Sequence, residues 1–293
     1  MTKLGRLVVW LTLIGVVVLV AGYSVALPQL GGSVRPISVA DLTGDAKRGE
    51  YLAVAAGCLT CHTDYKKKGQ LLAGGPALKT PFGTFYGPNI TPDKAHGIGG
   101  WTLAQFSQAL TAGVAPDGGH YFPSFPYTSY AKMKPQDIAD IKSYLDSVPP
   151  VGTPSHPHDL PWPFSDRNFL GAWKWLNFNS SRAEDMNRGA YLVNVLGHCG
   201  ECHTQRDILG GKIGLPLAGN TNGPGGAKVP GLRGLSTDGK PWTADNIKLS
   251  LQVGMKPNGD FLGDSMAEVV EHSTSKLSDA DRGAMAAYLV SLN

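Results

Sequence analysis

The chain has 293 residues, a formal net charge of +3, and only 17% charged residues against 42% hydrophobic ones. That mild balance, without a basic stripe or an aromatic stacking motif, speaks against a nucleic-acid partner, and the length suits one or two domains. Glycine (38) and proline (21) are plentiful, which fits compact units whose long loops wrap something other than their own side chains.

Lys3 and Arg6 precede an uncharged run, Leu7 to Leu27. Roughly twenty apolar residues cross a bilayer as one helix. The leading positive charges would stay in the cytoplasm and place the remainder outside. Residues 1–27 therefore read as a transmembrane anchor. A signal peptide cleaved after Ser24-Val25-Ala26 is the alternative, and either reading exports the chain. Residues 28–44 read as a tether, with Pro, Gly and Ser and no periodicity.

Residues 45–150 form the first predicted domain. Arg48-Gly49-Glu50-Tyr51-Leu52 starts a helix that leads into Cys58-Leu59-Thr60-Cys61-His62. This is C-x-x-C-H, the attachment signature of c-type haem. Two thiols on one helical turn can each bond a vinyl group of one porphyrin, and the adjacent histidine can reach the iron. Lys66-Lys67-Lys68 reads as a solvated loop; a docking patch for an acidic partner is the sharper reading. Gly74 to Gly100 reads as loop. Trp101 to Gly113 reads as a helix with Phe106, Ala109 and Leu110 on one side. His120 to Lys134 is an aromatic loop, and Pro135 opens a closing helix at a position where proline is tolerated.

Residues 151–185 read as a linker. Its aromatics and prolines, Pro161-Trp162-Pro163-Phe164, Trp173 and Trp175, do not suit a floppy tether, so it is expected to pack on both domains. His156 and His158 read as exposed rather than as iron ligands. Residues 186–293, the second predicted domain, repeat the first. Arg188-Gly189-Ala190-Tyr191-Leu192 echoes 48–52, Trp242-Thr243 echoes Trp101-Thr102, and Cys199-Gly200-Glu201-Cys202-His203 is a second C-x-x-C-H. The two motifs use all 4 cysteines. Paired C-x-x-C also marks zinc ribbons, but their halves lie close in sequence. Ser278 with Asp281 reads as a helix start. Self-similarity on this scale indicates two copies of one fold. The fold class expected is all-α: an N-terminal transmembrane helix, then two tandem class I cytochrome c-type domains, each around one covalent haem.

An iron held by one histidine has a free axial position. An electron carrier closes it, commonly with a thioether, which favours ferrous iron. For the first haem Met133 is the candidate, with His120 and then His96 as rivals. For the second, Met285 reads as core, Met255 occupies the repeat position of Val114, and Met266 in the loop before the closing helix is the candidate. The metal set expected is His62, Met133, His203 and Met266. His198, inserted before Cys199 relative to the first repeat, and His272 read as structural or exposed.

The chain resembles the multihaem cytochrome c subunits of membrane-bound bacterial dehydrogenases for alcohols, gluconate and aldehydes. The resemblance is carried by Thr80-Pro81-Phe82-Gly83-Thr84-Phe85-Tyr86, Asn89-Ile90-Thr91-Pro92-Asp93, Gly97-Ile98-Gly99-Gly100-Trp101 and Phe122-Pro123-Ser124-Phe125-Pro126-Tyr127. Many members carry three haems, and many place methionine where this chain has Phe125. The resemblance implies a subunit without its own substrate, in the bacterial inner membrane with its haem domains in the periplasm. It would take electrons from a dehydrogenase's catalytic subunit and pass them to quinone or a terminal oxidase. The competing readings are a dihaem peroxidase, whose iron would need an open or displaceable ligand, and the dihaem subunit of a haem–copper oxidase.

Overall fold

A computed structural model describes residues 2–26, 29, 36–179 and 186–292. Leu27, most of 28–35 within the expected tether, and 180–185 of the expected linker lie outside the described residues. Helix α1, Lys3–Ala21, continues as a π turn, Gly22–Ala26. Among the described residues Lys3–Ala26 is the one helix long and apolar enough to cross a membrane, with a mean hydropathy of 2.4 and no buried residue in its apolar stretch.

Helices are the main regular structure of the remainder. In the first half, α2 is Ala46–Ala55, α3 Cys58–His62, α4 Leu103–Ala112, α5 Tyr127–Tyr130 and α6 Pro135–Ser147. Helix α7, Phe169–Asn177, lies between the halves. The second half holds α8 Arg188–Tyr191, α9 Ala244–Val253, α10 Asp264–His272 and α11 Asp279–Val290. Among the described residues four short strands form two antiparallel hairpins, which a purely helical expectation omits. Strand β1, Ala77–Thr80, pairs with β2, Gly83–Tyr86; β3, Ser236–Thr237, pairs with β4, Lys240–Pro241. The first hairpin interrupts the stretch read as loop. Pro81-Phe82 makes its turn, and Gly83 takes a φ of 121° there, a region closed to most side chains.

Several helix starts have a local chemical cause. Asp45 accepts from the Lys47 and Arg48 amides at 2.9 and 3.1 Å. Thr102 and Gln105 form a capping box, as do Thr243 and Asn246. Ser278 caps α11 through the Asp281 amide. These caps satisfy donors that a helix N-terminus otherwise leaves orphaned.

The first and last helices of each half cross in contact. A Cβ on Gly49 would stand 1.9 Å from the Asp140 carbonyl oxygen, and one on Gly189 would stand 2.0 Å from that of Ala284. Only glycine lets the backbones come this close. Arg48 then bonds Asp137 and Asp140, while Arg188 grips Asp281 at 2.9 and 2.6 Å. The second half has one residue more between its tyrosine and its first motif cysteine. A π turn over Leu192–Leu196 absorbs it, as an i→i+5 bulge does. The residue before each motif is left-handed: Gly57 at φ 68° and His198 at φ 38°.

The segment between the halves packs on both. Asp159 and Thr84 exchange backbone bonds, and Asn89 donates to the Val151 and Thr153 carbonyls. The Trp173 indole donates to the Leu209 carbonyl at 2.8 Å. Trp162 and Trp175, expected to pack, face outward instead.

Candidate haem sites

Cys58, Cys61 and His62 share α3. Cys199 opens a short 3₁₀ turn through Glu201, and Cys202 and His203 follow it. All four cysteines are free thiols. Loss of solvent pushes Cys58 and Cys199 up to about 12. It pushes Cys61 up to about 11, with the nearby Cys202 and Glu268 adding to the shift. All three are therefore neutral thiols near pH 7.

The two motif histidines have the same environment. The His62 ring holds the Pro88 carbonyl through Nδ1 at 2.7 Å, and His203 holds that of Pro230 at 2.7 Å. A carbonyl oxygen can only accept, so Nδ1 carries the proton in each and Nε2 is left as a lone-pair donor. Burial holds both imidazoles below their ordinary pKa, which keeps them neutral and fit to bind a metal.

The loops after the first motif close tightly on it. A Cβ on Gly75 would stand 1.8 Å from the Cys61 carbonyl oxygen, and one on Gly87 would stand 1.7 Å away. Thr60 Oγ1, inside the motif, is buried without a hydrogen-bond partner. Thr63 bridges Gly74, and Thr204 bridges Gly219 in the same way. Paired thiols, a neutral imidazole with its far nitrogen tied down, and chain wrapped closely round them make a donor set that fits covalent haem.

Met133 is 3% exposed and belongs to the core with Leu52, Ile98, Leu110 and Tyr130. It sits in the turn between α5 and α6. Met266 is half-buried and lies on α10 rather than in a loop, because the stretch before the closing helix coils into a helix of its own. His120 is buried, and its Nδ1 meets Lys174 Nζ at 3.0 Å. His96 remains near the surface at the turn of Asp93. Met255 pairs with Phe261 as Val114 pairs with His120, so its position repeats that of Val114.

Each half also reaches the other's motif. Thr128 and Ser129 donate to Glu201 at 2.9 and 2.5 Å, and Lys212 and Arg206 pair with the same carboxylate. Burial alone would raise Glu201, but these two cations bring it down to about 2. In return α10 packs on α3, Glu268 pairs with Lys66 at 2.5 Å, and His272 stacks on Tyr65 with centroids 3.8 Å apart. His198 lies between the motifs, its ring edge-on to Tyr130 and its Nε2 beside Gly57. The sequence reading missed Glu201 and the Lys66–Glu268 pair, since both depend on contacts across the halves.

Residues 46–149 match the cytochrome c family. The chain is similar to a diheme cytochrome c-type protein of Cereibacter sphaeroides, with 47% identity over 264 residues, 87% of this chain and 88% of that one. It belongs to the dihaem c-type cytochromes. The cytochrome is also 40% identical to the fructose dehydrogenase cytochrome subunit of Gluconobacter japonicus, over 84% of its own length and 52% of the relative's. A gluconate 2-dehydrogenase cytochrome c subunit from Pantoea cypripedii is 40% identical over 86% of this chain and 61% of that subunit. The cytochrome thus spans a little over half of those dehydrogenase subunits. Haem c bound covalently, and electron transfer as the role, follow from this membership.

Proposed function

We propose that the chain carries two haem c groups. It would pass electrons from the catalytic subunit of a periplasmic or membrane-bound dehydrogenase to quinone or a terminal oxidase, without a substrate of its own. Cys58 and Cys61 hold one porphyrin by thioether bonds, and Cys199 and Cys202 hold the other. His62 and Met133 would bind the iron in the first half, and His203 and Met266 would bind it in the second. Residues 45–150 and 186–293 are the two cytochrome c domains. Residues 1–27 anchor them in the inner membrane, facing the periplasm.

The observation that carries this reading is the matched pair of Nδ1 bonds, His62 to Pro88 and His203 to Pro230. Each bond fixes the ring's orientation and its tautomer and strengthens Nε2 as a ligand. Haem when bound supplies an iron that exchanges one electron between ferric and ferrous states. Buried thioethers favour the ferrous state, and Met133 is such a side chain. His198, next to Cys199, has its Nε2 beside Gly57, next to Cys58, and α10 packs on α3, so the motifs stand near one another, as transfer between two centres requires. The diheme name of the Cereibacter sphaeroides relative supports the count of two.

Intact-mass measurement of the mature protein tests the proposal. Two covalent haems are expected in the wild type, and one after Cys58→Ser with Cys61→Ser or after Cys199→Ser with Cys202→Ser. A mature chain without covalent haem sinks it. The role is tested by mixing the reduced dehydrogenase that co-purifies from detergent extracts with the oxidised cytochrome. Both haems are expected to reduce, and no peroxide turnover is expected.

A further inference from the structure

One face of the molecule is apolar where water would be expected. Helix α7 reverses the usual amphipathic order, in which charge faces out and apolar residues face in. Its single charge, Lys174, is 1% exposed, while Trp175 and Leu176 are 68% and 64% exposed. The lysine points inward because it closes α4: its Nζ donates to the Ala112 and Gly113 carbonyls at 2.7 and 2.5 Å.

The apolar surface runs on from α7 in two directions. The Trp173 indole ties it to the 206–213 loop through Leu209, whose neighbour Ile208 is 89% exposed. Gly210 in that loop lies against Phe82, and Phe82 meets Phe164 edge-on at 5.2 Å. Trp162, two residues earlier, is 78% exposed. A continuous patch of this kind marks an interaction site rather than chance exposure.

Its position names the occupant. Tyr23, in the last turns of the apolar N-terminal helix, meets Phe169 of α7 edge-on at 5.6 Å. The end of a membrane span lies at the headgroup layer, where Trp and Tyr are favoured. The patch begins at that level.

We infer that α7, with the 161–164 and 206–213 segments, lies in the headgroup layer of the outer leaflet, so that the lipid surface covers this face. The inference rests on the proposed anchor. It adds an orientation: Arg206, at the start of one docking loop, donates to the Glu201 carbonyl, so the second motif is held one loop away from the bilayer.

The test uses the full-length holoprotein in vesicles of phosphatidylethanolamine and phosphatidylglycerol. Benzoylphenylalanine replaces Trp162, Trp175 or, within the N-terminal helix, Leu13, and adducts are read by mass spectrometry after illumination. Lipid adducts at 162 and 175, comparable in yield to those at 13, are expected. The variant Trp175→Glu with Leu176→Glu is expected to lose the adduct at 162 and keep that at 13. Lipid adducts at 13 alone, or protein adducts at 162 and 175, overturn the inference and leave the anchor standing. No lipid adduct at 13 overturns the anchor, and this inference with it.

Discussion

The hydroxyl of Tyr51 donates to Asp281 at 2.7 Å, joining residues 230 positions apart. The same contact occurs in mirror form, with Tyr191 donating to Asp137 at 2.6 Å. Each tyrosine also receives the backbone amide that opens the other half's closing helix: Ser278 on Tyr51 and Lys134 on Tyr191, both at 3.0 Å. Asp137 is answered by Arg48 as well, and Asp281 by Arg188. The halves are joined by two copies of one polar clasp about an approximate two-fold axis.

Tyr191→Phe should therefore cost about 1.5–3 kcal/mol, the range for a hydrogen bond to a charged group. Tyr51→Phe should cost less, since its clasp is wetter. Guanidinium denaturation followed by haem absorbance measures both. Equal losses would show that burial of Asp137 does not matter.

The clasp also sets an acid limit. The Arg188 bond holds the Asp281 carboxyl below its ordinary range, burial opposes this, and the Tyr51 hydroxyl adds to the lowering. A lowered carboxyl contributes stability that is complete above its unfolded pKa of about 4 and is lost as pH falls through the folded value. Wild type should exceed Asp281→Asn in stability at pH 6, and the gap should shrink steadily below about pH 4. Melting curves across that interval check the sign.

Gly49→Ala and Gly189→Ala should each destabilise by about 3 kcal/mol, the upper part of the range for forced overpacking. In both, the new Cβ meets backbone, which cannot turn aside. Gly152→Ala, with open space around it, serves as the control in the same denaturation assay.

Lys174 gives a test with the opposite pH sense. Burial, with the charge of Arg167, pulls its pKa down to about 7. The unfolded chain then binds more protons between about pH 7 and 10, so stability should rise with pH across that window. Lys174→Met should remove the slope. It should also cost about 2–3 kcal/mol at pH 7, because the Ala112 and Gly113 carbonyls lose their donor.

Met133→Leu and Met266→Leu should each remove the thioether charge-transfer band of one haem. Each should lower that haem's midpoint potential on the order of 100 mV, within the roughly 0.8 V that axial ligands command. Redox titration distinguishes ligand from packing: a side chain that only fills space would leave both potentials in place.

The repeat could be read from the chain because its marks are local. Arg-Gly-x-Tyr-Leu, Trp-Thr and C-x-x-C-H recur in order, and the caps at Thr102 and Ser278 stand where their side chains suggest. The clasp could not be read. Periodicity assigns Tyr51 and Tyr191 to apolar faces, and no period reports a hydroxyl bonded to a carboxylate in the other copy. Lys66 looked solvated because Glu268 is remote in sequence. Met266 looked like loop because Gly263-Asp264-Ser265 reads as a turn, whereas it is the start of α10. The lone lysine in Phe-Leu-Gly-Ala-Trp-Lys-Trp-Leu-Asn was the one local hint that this stretch is a helix turned inside out.

The exchange of contacts between Glu201 and Thr128–Ser129, and between Lys66 and Glu268, has a consequence for biosynthesis. In the exported chain proposed above, the N-terminal portion emerges first, and its Cys58–His62 turn stays uncovered until α10 arrives some two hundred residues later. Cys199–His203 meets Thr128 and Ser129 already made, and Pro230 and Met266 follow it closely, so the ligation machinery has a longer interval for stitching the early pigment than the late one. Slowing the attachment apparatus should for that reason yield chains lacking the C-terminal pigment before chains lacking the N-terminal one.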